Sequence, residues 1–80
     1  MSEQTYQNKL IKSLEKEGWF VLKLIKTNKN GIPDLLAIKE GERPYFIEVK
    51  GVKGKPSKLQ EYRIKELNSL GFKAIISYES

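Results

Sequence analysis

The sequence contains no cysteine and no histidine. Without cysteine there is neither a disulfide framework nor a thiolate metal site to supplement the core. Without histidine, the commonest general base and the usual zinc ligand are missing. Any catalysis must therefore run on carboxylates, lysines, hydroxyls or a hard metal ion. Long apolar stretches are also lacking: nothing approaches the ~20 residues of a membrane span. The N-terminus carries no signal-peptide apolar region, so the expected compartment is intracellular.

What is present is a short, highly charged chain. At 80 residues, 39% hydrophobic and 31% charged, it reads as one globular, soluble unit covering residues 1–80, near the small end of what folds alone. Fifteen Lys+Arg against ten Asp+Glu give a net charge of +5, with a pI near 9.5. That balance favours a polyanionic partner, although many small proteins are basic without one.

Tyr6, Leu10, Ile11 and Leu14 recur at helical spacing, and Gly18 supplies a stop. Trp19 to Ile25 is a β-rich run, bounded by the polar segment Thr27 to Gly31. Leu35 to Ile38 and Tyr45 to Lys50 read as two strands joined by Glu40-Gly41-Glu42-Arg43, with Pro44 at a strand start. After the Lys/Gly/Pro loop from Gly51 to Pro56, Ser57 opens a second helix with an expected apolar stripe of Leu59, Tyr62, Leu67 and Leu70. Gly71 ends it, and Phe72 to Ile76 reads as a last strand. The expected order is αβββαβ, an α/β fold with a small mixed sheet flanked by a helix on each face. Helix, glycine, aromatic, strand occurs twice, at Gly18-Trp19 and Gly71-Phe72. We read this as shared turn chemistry and not as a repeat.

Glu48 and Lys50 lie two apart in an otherwise apolar strand, so both project from one face, about 6.7 Å apart along the chain. In isolation, Glu-Val-Lys reads as a solvated face or a structural ion pair. Gly31-Ile32-Pro33-Asp34 in isolation reads as a turn. The two together say more. If their strands pair as a hairpin, Asp34 lies beside Glu48 and Lys50, and two carboxylates and a lysine converge on one rim of the sheet. Two acidic oxygens, a strand carbonyl and waters suit magnesium. Such a metal activates water and offsets charge on a phosphate. Lys50 then positions or deprotonates the attacking water, or stabilises the pentavalent phosphate.

Pro33-Asp34, thirteen residues, then Glu48-Val49-Lys50 resembles the PD-(D/E)XK nuclease superfamily. The segments Gly31 to Leu36, Phe46 to Gly51 and Lys55 to Gln60 together resemble its VRR-NUC branch, seen in phage proteins and DNA-repair nucleases. The resemblance implies a restriction-endonuclease-like core and divalent-metal phosphodiester hydrolysis with Mg2+ or Mn2+. It makes Asp34, Glu48 and Lys50 the catalytic trio, with Asp34, Glu48 and the Val49 backbone carbonyl as metal ligands. It also places Gln60 near the active centre, although Ser57-Lys58-Leu59-Gln60 equally has the form of a capping box. Related resolvase-type nucleases carry a first-helix glutamate; the matching position here is Gln7, with Glu3 one turn earlier, and both are candidates for a further ligand. Tyr62 is read as a packing residue and Arg63 as a surface one.

Lys50, Lys53, Lys55 and Lys58 fall within nine residues free of acid, and Lys23, Lys26 and Lys29 form a second basic stretch. Charge runs are usually solvated faces. Because these two flank the candidate site, we read Lys26, Lys29, Lys53, Lys55 and Lys58 as phosphate contacts, which carry no base code. The leading expectation is a structure-selective endonuclease on branched DNA, of the Holliday junction resolvase kind. It would be a homodimer using exposed apolar surface such as Trp19 or Tyr78, in the cytoplasm of a bacterial host and of phage or mobile-element origin, with no organic cofactor. The alternatives are a monomeric flap or nicking nuclease, a non-catalytic DNA-binding module of this fold, and a protein-interaction domain with coincidental motifs.

Overall fold

Ser2 opens the first helix, its hydroxyl accepting from the Thr5 amide at 3.1 Å. The computed structural model describes residues 2–79. Helix α1 (Glu3–Lys16) is followed by strands β1 (Phe20–Lys23), β2 (Leu35–Ile38) and β3 (Tyr45–Lys50), helix α2 (Lys58–Ser69) and strand β4 (Lys73–Tyr78). This is the expected αβββαβ order. Both helices end with the same pair of bonds: Gly18 N to Glu15 O and Trp19 N to Leu14 O in α1, Gly71 N to Asn68 O and Phe72 N to Leu67 O in α2. The recurring glycine-aromatic pair is thus one helix-terminating turn used twice.

The strands lie in the order β1-β2-β3-β4, antiparallel except for the parallel pair β3 and β4. Leu35 faces Ile47 and Ala37 faces Tyr45, while Ile47 and Val49 face Ile75 and Ser77. These residues share one side of the sheet, and there Leu35, Ala37, Ile47, Val49 and Leu14 of α1 form the buried core. Tyr6, Leu10 and Ile11 pack against it, as their spacing predicts. Removing such side chains from water is worth roughly 1.5–3 kcal/mol each. The other side carries Phe20, Leu22, Ile38, Phe46 and Glu48 by the same alternation.

Four expectations need correction. Strand β1 is shorter than the Trp19–Ile25 run, because the Trp19 amide is spent on the α1 terminus. Trp19 itself packs edge-on against Tyr45 under Lys39 and is not free surface for a partner. Strand β4 runs on to Tyr78, held by the parallel register to β3. In α2 the expected apolar stripe is largely outward: Leu59, Tyr62 and Leu70 are exposed, Tyr62 by 55%. The less exposed positions are Gln60, Arg63, Ile64, Glu66 and Leu67. Tyr62 and Arg63 therefore exchange the places the sequence reading gave them. Among the described residues, no helix is long and apolar enough to cross a membrane.

Helix α2 also anchors the loop ahead of β2. Arg63 Nε donates to the Asn30 carbonyl at 2.9 Å, and Gly31, with φ of +77°, lies so close that a Cβ there would sit 2.6 Å from Leu59 Cγ. Gly31→Ala should combine left-handed strain of about 1 kcal/mol with overpacking of about 1–3 kcal/mol. Gly41→Ala should cost only the strain, because at φ of +81° nothing among the described residues lies within 4 Å of its added Cβ. Urea unfolding of the two variants should separate them by at least about 1 kcal/mol; equal losses would contradict the contact with Leu59.

Candidate active site

The β2–β3 hairpin builds the site by register alone. Leu35 pairs with Ile47, so one step outward Asp34 stands opposite Glu48, and the next step sets Pro33 opposite Val49. Proline has no N–H, so the ladder cannot continue there. The Asp34 carboxylate takes over, its Oδ2 accepting from the Val49 amide at 2.8 Å. In a strand the C=O and N–H of one residue point the same way, so the Val49 carbonyl faces this rim as well, and Pro33 has no donor for it.

Glu48 is 2% exposed, the only buried charged side chain among the described residues. Its Oε2 receives Gln60 Nε2 at 3.2 Å and lies 3.6 Å from Lys50 Nζ. Its Oε1 is buried with no hydrogen-bond partner among the described residues. A buried, unpartnered carboxylate oxygen carries a large desolvation cost. Burial, followed by the negative charge of the neighbouring Asp34 and opposed by Lys50, pushes the Glu48 carboxyl up to about 7.

Gln60 fills both roles that its sequence left open. Its Oε1 accepts from the Ser57 amide at 2.8 Å while the Gln60 amide donates to Ser57 Oγ at 3.1 Å, completing the capping box. The same side chain's Nε2 reaches Glu48. A glutamine has separate donor and acceptor atoms, so capping and site contact do not compete.

The other candidates are placed unequally. Gln7 lines a cleft with Asp34, whereas Glu3 Oε2 accepts from the Gly51 amide at 3.3 Å. Among the described residues, no three His, Cys, Asp or Glu gather where they could hold a metal, so Glu3 does not join Asp34 and Glu48 in an acidic triad. Lys26 and Lys29 line a second cleft that also reaches Asp34. Lys53, Lys55 and Lys58 are exposed. The turn between them bonds Gly54 N to Gly51 O at 3.0 Å, and Gly54 abuts the aliphatic stem of Lys50. The inward role of Arg63 was missed; its helical phase, three residues after Gln60, is the signal that could have found it.

The donor set suits a hard divalent cation: the unpartnered Glu48 Oε1, the second oxygen of Asp34 and the Val49 carbonyl are all oxygens. Magnesium binds through one or two carboxylates and retains several waters, so a two-carboxylate rim is adequate.

The raised Glu48 value makes stability depend on pH. A carboxyl that holds its proton more tightly when folded favours folding fully below its ordinary range, near 4.5, and loses that advantage as pH rises to about 7. The loss amounts to roughly 3 kcal/mol. With chelator present, the wild type should therefore lose stability between pH 4.5 and 8 relative to Glu48→Gln, as read by urea unfolding. Parallel pH profiles for the two proteins would refute the assignment.

Searches of curated proteins and of solved structures return no match to this chain. The family comparison does: the sequence model of the VRR-NUC domain matches residues 1–78. That span holds the Pro33-Asp34 corner, the Glu48-Val49-Lys50 strand and the helix that Ser57 and Gln60 begin, and on it the chain belongs to the VRR-NUC domain family.

Proposed function

We propose that this nuclease domain is a divalent-metal-dependent, structure-selective DNA endonuclease that resolves four-way junctions as a homodimer. The observation that carries the reading is the buried Glu48 Oε1 without a partner, set beside Asp34 and Lys50 on one rim. An apolar side chain there would remove the desolvation cost, so the acid needs a reason to be present.

Asp34, Glu48 and the Val49 carbonyl are the proposed ligands of Mg2+ or Mn2+. When bound, such an ion acidifies water and offsets the charge that develops on a phosphate. Lys50 holds the attacking water and neutralises charge on the scissile group with its ammonium, which Glu48 keeps aimed at the rim. Gln60 fixes the Glu48 carboxylate through Oε2 and so leaves Oε1 for the ion. Lys26 and Lys29 on one side and Lys53, Lys55 and Lys58 on the other supply phosphate contacts. Phosphate contacts of this kind carry no base code, which favours recognition of DNA shape.

The dimer rests on a partly covered sheet. Phe20, 63% exposed, with Leu22, Ile38 and Phe72 forms an apolar patch, continued by Phe46 through its edge-on contact with Phe72. A second copy is the proposed occupant, because a junction requires two symmetric cuts and a twofold pair supplies two centres. A stable pair buries roughly 800 Å² per partner, and this patch would form the middle of such an interface.

Asp34→Ala, Glu48→Ala and Lys50→Ala should each lower cleavage of four-way DNA by roughly a hundredfold or more while the fold survives. The two carboxylate variants should also weaken manganese binding, whereas Lys50→Ala should spare it. A Lys50→Ala enzyme cutting at the wild-type rate would overturn the mechanism. Light scattering at micromolar concentration, with and without junction DNA, tests the dimer. A monomer making single nicks in flaps would replace the resolvase reading with that of a nickase.

A further inference from the structure

The β1–β2 ladder ends at Leu24, whose amide donates to the Asp34 carbonyl at 2.8 Å. One step outward in that register, Ile25 stands opposite Pro33, at a pair whose backbone groups do not bond to each other. Ile25 leaves the sheet and is 88% exposed, the most exposed large apolar side chain among the described residues.

A lone exposed isoleucine is ordinary on a protein surface. The surroundings of this one are not. A cleft of about 480 Å³ opens on one side, lined in part by Lys26, Lys29 and Asn30. Another of about 310 Å³ is lined by Gln7 and Lys23, among others. The two clefts share three residues: Leu24, Ile25 and Asp34. The Leu24-Ile25 segment is thus a ridge between two polar, lysine-bearing clefts that both reach the candidate catalytic acid.

Lysine-lined polar clefts suit phosphodiester backbones. Two backbones diverging on either side of a ridge describe DNA at a point where a duplex opens. At such a point the last base pair presents a bare apolar face, and apolar side chains wedge against exposed base steps. A β-branched side chain with few rotamers makes a stiff wedge. We propose that Ile25 is a strand-separating wedge that packs on the terminal base pair of a branch point. The diverging strands occupy the two clefts, and one phosphate is thereby presented to Asp34. This rests on the endonuclease reading and gives its preference for branched DNA a specific residue.

The test compares wild type, Ile25→Ala and Ile25→Leu on linear and four-way DNA of matched sequence, with 2-aminopurine at the branch. With chelator present, wild type should brighten the 2-aminopurine as the base unstacks, Ile25→Ala should lose most of that signal, and Ile25→Leu should recover it. With magnesium, the branched-to-linear ratio of kcat/KM should fall about tenfold in Ile25→Ala. Unchanged melting temperatures should accompany these effects, because the side chain is 88% exposed. If wild type cuts branched DNA and Ile25→Ala matches it in both readouts, the wedge is wrong and the nuclease reading stands. If no DNA is cut with any metal but the fluorescence change still depends on Ile25, the wedge stands and the nuclease reading falls. Failure to bind branched DNA would remove both.

Discussion

One proline at the end of a ladder organises this molecule. Pro33 is buried where β2 would next exchange hydrogen bonds with β3, and it has no N–H to exchange. The vacancy is filled from the side chain of its neighbour, as Asp34 Oδ2 takes the Val49 amide. That bond fixes the carboxylate on the rim where the register sets Glu48 opposite Asp34 and strand geometry turns the Val49 carbonyl the same way. On the other edge of β2, Ile25 lies beyond the last bond of the β1 ladder and leaves the sheet. The candidate rim therefore has its origin in one missing donor.

The rim was legible in the sequence because it depends only on local rules. A two-residue alternation puts Glu48 and Lys50 on one face, and a hairpin of the expected length returns Asp34 to them. The core face of α1 was legible for the same reason, since Tyr6, Leu10, Ile11 and Leu14 need only a period of 3.6. Gln60 was half legible. Its capping spacing and its family position were both visible, but whether one excluded the other depended on a tertiary approach of α2 to Glu48.

Of the apolar stripe expected in α2 only Leu67 turns inward, and the polar contacts of the helix explain why. Periodicity arguments assume that the buried face of a helix is its apolar face. Here polar side chains of the helix bond to other segments: Gln60 to Glu48, Arg63 to Asn30, and Asn68 near its end to both backbone groups of Ala74. The apolar positions Leu59, Tyr62 and Leu70 were therefore displaced outward, where the hydropathy pattern pointed to the wrong side.

That polar helix carries a cost that a chain of this size can bear only in part. Eighty residues bury a small core, and almost all of it lies on the α1 side of the sheet. The side facing α2 holds a carboxylate whose desolvation opposes folding, and α2 leaves Phe20, Leu22 and Ile38 in water. Two agents could offset this deficit, a cation on the Glu48 oxygen and a second subunit on the apolar strands. Each binds only the folded chain, so each stabilises it by mass action. Both are also what two-site hydrolysis of a symmetric substrate would require. The small core and the candidate site follow from the same arrangement: one face of the four-stranded sheet is packed by α1, while the other holds a buried acid and an open apolar patch.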